Sequence, residues 1–182
     1  MRYGSFVLVV TLAGSLTGQQ ATDPMRHTFL QRVDDYVALH RRLEGPLPPE
    51  VVTADVEALF APRRALAAAI RTARPNAAQG EIFTPAVARY FRIVVAEALR
   101  EGAIEDMLGI VEEENVVKMT PRVNADYPAG ASIPLMPTSL LAALPPLPPE
   151  LEYRFLGRDL ILWDVHAGLI VDFVPAAIPA TT

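Results

Sequence analysis

Eight prolines between residues 121 and 149 (Pro121, Pro128, Pro134, Pro137, Pro145, Pro146, Pro148 and Pro149) divide this chain into two regimes. Proline lacks the backbone donor and its ring clashes with the preceding turn, so no long helix fits there beyond a turn or two at 138–143. Before that stretch, apolar residues recur at helical spacing; after it, they alternate. The pattern predicts an α+β fold: an N-terminal bundle of about four helices packed with a small C-terminal antiparallel β-meander. The expected divisions are a signal peptide over 1–21, a helical region over 23–116, a proline-rich connector over 117–150 and a three-stranded meander over 151–178.

The helical half is readable residue by residue. Asp23-Pro24 offers a capping carboxylate followed by proline in the first turn. Met25, Phe29, Val33, Tyr36, His40 and Leu43 then recur every three or four residues, until Gly45-Pro46 ends the stripe. A short helix carrying Val56, Leu59 and Phe60 is expected to stop at Pro62, with a separate one over 62–72 carrying Leu66 and Ile70. Thr84-Pro85 repeats the cap-and-proline start, and Val87, Phe91, Val94, Val95, Ala98 and Leu99 share one face ahead of Gly102. A further helix is expected over 103–113.

The end of the chain changes period. Tyr153 and Phe155 alternate with Arg154, and Gly157-Arg158-Asp159 turns the chain. The next segment, Leu160-Ile161-Leu162-Trp163, is apolar on both faces. Ala167-Gly168 permits a second turn into Leu169, Val171 and Phe173. A central strand apolar on both sides needs two covers: the helices on one, and the proline-rich segment or a partner on the other. Trp163, Tyr153 and Phe155 are therefore the residues expected at a partner-binding face.

Arg2 precedes an apolar run over 6–16 (FVLVVTLAGSL) and small or polar residues over 17–21. The run is shorter than the roughly 18–20 residues of a membrane span, so it reads as a signal peptide and gives a periplasmic or secreted address. The alternative is a buried strand over 6–12. No second apolar run is long enough to cross a bilayer. There are no cysteines, which excludes disulfides, thiolate zinc sites and thiol nucleophiles together. A net charge of −5 argues against nucleic-acid binding and against attraction to an anionic membrane surface.

Chemistry-bearing residues are few. Of the three histidines, His27 and His40 lie on one expected helix about 220° apart, so they cannot chelate one ion together. His40, beside the apolar stripe, reads as a core-edge histidine. The sharper set is Asp164, His166 and Asp172: two strand residues on one face plus a third that the hairpin could bring near, able to hold a divalent metal. The simpler reading makes Asp164 and His166 polar residues near an exposed turn. Glu112-Glu113-Glu114 reads as a solvated helix end, and Arg63, Arg64, Arg71 and Arg74 as surface arginines. Ser132 and Ser139 lack a GxSxG frame, and no phosphate loop or dinucleotide fingerprint is present, so no cofactor and no catalytic residue is expected.

The meander, with its lead-in Leu144-Pro145-Pro146-Leu147-Pro148-Pro149, then Tyr153-Arg154-Phe155, Gly157-x-Asp159 and Ala167-Gly168-Leu169-Ile170, resembles the end of periplasmic nickel/cobalt-homeostasis proteins of the RcnB type. Phe155 stands where that family tends to have tryptophan. The resemblance covers the last third of the chain; it implies a β-meander and a periplasmic address, and carries over no metal-ligand set. Three functions follow as expectations: an exported non-enzymatic module binding a protein or envelope component, a periplasmic metal-stress accessory, and a hydrolase whose site the fold assembles.

Overall fold

The computed structural model describes residues 24–48, 54–100, 120–127 and 136–179, and among them four helices and three strands follow one another. Helix α1 runs Pro24–Glu44, α2 Val56–Ala73, α3 Pro85–Arg100 and α4 Thr138–Ala143. Strands β1 (Leu151–Leu156), β2 (Asp159–Asp164) and β3 (Leu169–Val174) form an antiparallel sheet in chain order. This is the α+β architecture expected of the pattern. The expected signal peptide, the helix over 103–113, Glu112 to Glu114 and Ser132 lie outside the described residues. Among the described residues no helix is long and apolar enough to cross a membrane.

The α1 stripe works as its spacing dictates: Phe29, Val33, Tyr36, Val37 and His40 are its buried residues. On α3, Val87, Ala88, Phe91, Val95 and Ala98 face inward, and Thr84 Oγ1 accepts from the Val87 N–H at 3.4 Å. The two expected helices around Pro62 are in fact one. Asp55 caps α2, its carboxylate accepting from Glu57 N and Ala58 N, and the helix continues through Pro62. The proline sits in the second turn, where the bond it forfeits is to Ala58, beside the exposed Leu59 and Phe60. The alanine-rich run that follows favours helix strongly enough to carry it past the defect.

The sheet's inner face (Leu151, Tyr153, Phe155, Leu160, Leu162, Leu169, Val171, Val174) packs against the helices. Phe29, Phe83, Phe91 and Tyr153 meet there with ring centroids 4.8–6.2 Å apart. The outer face buries Leu156, Ile161, Trp163 and Ile170, with Tyr127 packed over them. Residues 124–127 of the proline-rich stretch lie along β3: Asn124 N donates to Ile170 O, Ile170 N to Ala125 O, and Tyr127 N to Gly168 O. That closes the edge of the sheet that would otherwise pair with another chain. Arg71 fastens the segment through Asn124 O at 2.9 Å and Asp126 at 2.7 Å.

One irregularity matters below. The β2–β3 register steps from Leu162↔Asp172 to Trp163↔Ile170, so Val171 is an extra residue in β3. Such a bulge re-aims the side chains beside it.

Candidate metal centre

The residues singled out in the sequence are distributed by the fold in an unexpected way. Asp172 turns its carboxylate to the α2–α3 loop, where it accepts from Gly80 N at 2.9 Å, Ile82 N and Phe83 N at 2.8 Å, and its neighbour Phe173 N at 2.8 Å. Burial raises its pKa against the pull of these four donors. Its oxygens are committed to backbone, so Asp172 belongs to a structural cap and stands apart from His166.

Asp164 is equally buried. Its Oδ2 accepts from the Tyr36 hydroxyl at 2.7 Å and lies 2.6 Å from His40 Nδ1, while Oδ1 accepts from Ala167 N at 2.7 Å. The same residue's carbonyl accepts from Gly168 N. Asp164 therefore shapes the tight turn that carries His166 and at the same time orients His40. Burial and the adjoining carboxylate push the Tyr36 hydroxyl upward in pKa, keeping it a donor.

Glu44 lies one turn beyond His40 on α1, and this i, i+4 pair shares a face. His40 Nε2 is 3.2 Å from Glu44 Oε2, and the other Glu44 oxygen is 2.7 Å from His166 Nδ1. The two imidazole rings lie 5.3 Å apart. One donor atom from each of His40, Glu44 and His166 lies within 4.8 Å of the others. Burial lowers the His40 pKa, but the hydrogen bond and charge of Asp164, joined by Glu44, outweigh it and leave the imidazole above its ordinary value.

Two imidazoles and a carboxylate form a borderline donor set suited to Zn²⁺, Co²⁺ or Ni²⁺. The His40–Glu44 spacing is close to the edge of a tetrahedron, about 3.3 Å, around an ion bound at ordinary Zn–N and Zn–O lengths. Asp164 on His40 Nδ1 gives the carboxylate–histidine support that would fix which nitrogen faces an ion. His166 and Glu44 are half-exposed, at 43 % and 40 % of their side chains, and open onto a cleft of about 190 Å³. The cleft is lined by Leu47, Pro48, Pro62, Arg63 and Leu66 besides Glu44 and His166.

Sequence reading chose His166 and missed its companions. The signal available was His40 and Glu44 four residues apart on one helix; the third donor is 122 residues away, and no local pattern links it to them. The residues expected at a partner surface are inside: Trp163 is 8 % exposed, Tyr153 7 % and Phe155 1 %. Tyr153 packs on Phe29 and donates its hydroxyl to Pro145 O, and Trp163 lies beneath the Arg154 guanidinium and against Tyr127. Comparison of the chain with protein-family models, curated proteins and solved structures found no match.

Proposed function

We propose that this protein is an exported, non-enzymatic module that binds a divalent transition-metal ion, a metal-handling protein of the periplasm. The observation that carries this reading is the convergence of His40, Glu44 and His166 around a common point, with the buried Asp164 holding His40 in place. Nothing about core packing requires two histidines and a carboxylate to meet at the rim of a cleft. The amino-terminal apolar run and the RcnB-like hairpin support the exported address. Docking of a protein or envelope component through the Trp163 face has less to recommend it, because Tyr127 and two arginines already cover that face.

Isothermal calorimetry of the purified protein with Zn²⁺, Co²⁺ and Ni²⁺ tests the reading. One ion per chain is expected, with binding lost in His166→Ala, a substitution at an exposed turn that leaves the core intact. Absence of binding, or binding that His166→Ala leaves unchanged, overturns it.

A further inference from the structure

We infer that the coordination position left open at this centre is a seat for a small oxyanion, a carboxylate or phosphate group, gripped on its other side by Arg63. The inference rests on the metal reading above. Three protein donors leave a tetrahedral ion one position short, and that position is filled by water or an exogenous ligand. The opening faces the cleft, and Arg63 is the cation on its wall.

Arg63 differs from the other arginines on α2 and at its C-cap. Arg64 pairs with Glu57, Arg71 with Asp126 and Arg74 with Glu81, each within 2.9 Å. Arg63 has no carboxylate partner among the described residues. It is nevertheless held in place: its guanidinium lies over the Trp163 ring, 5.9 Å from the centroid. It also presses on the backbone of Gly168, where an added Cβ would lie 2.0 Å from a guanidinium nitrogen. Gly168, at φ +70°, thus gives the turn its shape and leaves the space that Arg63 occupies two residues from His166. The Nη2–Nε side lies against Gly168, and the guanidinium, with no carboxylate partner among the described residues, has the donor geometry that matches a carboxylate or phosphate.

Charge points the same way. An ion's two positive charges are met by Glu44 and Asp164, which leaves Arg63 without a counter-ion. The cleft, at about 190 Å³, is below the range of roughly 300 Å³ and upward that takes drug-sized ligands, so a small anion fits and a large one does not.

The test uses the Co²⁺-loaded protein, whose visible bands report on the ion's ligands. Inorganic phosphate and acetate are titrated in turn, with perchlorate as the ionic-strength control. A saturable band shift is expected with at least one of them. Response to phosphate alone assigns a phosphoryl ligand, and response to both assigns oxyanions generally. Arg63→Gln is expected to weaken the anion about tenfold, as loss of a charge-assisted contact does, while Co²⁺ affinity changes little. Arg63→Lys, which keeps the charge but not the fork, gives the same readout should the Gln variant melt early. Co²⁺ binding with no shift beyond that of perchlorate overturns the inference and leaves the metal reading standing. Anion affinity equal in wild type and both variants also overturns it. Absence of Co²⁺ binding removes both.

Discussion

His40 Nδ1 and Asp164 Oδ2 lie 2.6 Å apart with neither side chain exposed, joining the first long helix to the last hairpin across 124 residues of chain. A buried carboxylate is costly unless its lone pairs are met. Here they are met by Tyr36, Ala167 and His40, so the group that folds the turn is also the group that sets the histidine. Asp164→Asn keeps the shape and removes the charge. Metal affinity is expected to fall about 10- to 100-fold, the usual cost of losing a carboxylate behind a ligating histidine. Competition against a chromophoric chelator measures this. Tyr36→Phe, which removes one of the three donors, should lower affinity less. Unchanged affinity in folded Asp164→Asn would mean that His40 needs no such support.

Asp172 gives the opposite expectation. Its oxygens gather backbone donors from the loop before α3, so Asp172→Ala strands the buried N–H groups of Ile82 and Phe83 and the part-buried one of Gly80. A loss of about 3 kcal/mol or more is expected from chemical denaturation, since bonds to a charged acceptor are the stronger kind. Metal affinity of the folded variant should match wild type. If binding disappears while the fold survives, Asp172 belongs to the metal site after all.

These two aspartates show where the sequence stopped being legible. The stripe from Phe29 to His40 and the alternation in 151–174 specify α1 and the meander, because each depends on neighbours three, four or two residues apart. Apart from the local N–H groups of Ala167 and Phe173, the partners of Asp164 and Asp172 lie 89 to 128 residues away, and the bulge at Val171 decides where Asp172 points. No periodicity encodes either. Pro62 shows a different limit: a residue with a strong local veto was overruled by the helix-favouring run after it. Glu44 was readable as the i+4 companion of His40, but only His166, delivered by the turn that Asp164 shapes, makes the pair a candidate centre.

Trp163 is the chain's sole tryptophan, and its surroundings make it a reporter for the closed outer face of the sheet. Arg154 stacks over the ring at 3.3 Å from the centroid, and Tyr127 meets it edge-on. Blue-shifted emission and strong protection from acrylamide are expected in the folded protein. Tyr127→Ala should raise quenching markedly without unfolding the helices. Quenching of the wild type as free as in denaturant would reopen that face as a docking surface.

Glu150, at the foot of β1, supplies a pH test. Its Oε1 accepts from Arg41 Nε at 2.5 Å, and its Oε2 is buried without a partner. Burial pushes its pKa up, but the Arg41 hydrogen bond, its own backbone N–H and the charges of Arg41 and His40 outweigh that and leave it below the ordinary value. A carboxyl held lower in the folded than in the unfolded state binds fewer protons when folded, so stability rises with pH through the window between the two values. The contribution is fully present above the unfolded pKa, near 4.3, and is lost as pH falls through the folded one. Glu150→Gln cannot titrate. Urea midpoints in chelator-treated buffer should therefore favour wild type around neutrality, with the gap closing on acidification; because Arg41 is 60 % exposed, salt should shrink the gap as well. A gap that widens toward low pH would mean that burial, and not Arg41, governs this carboxylate.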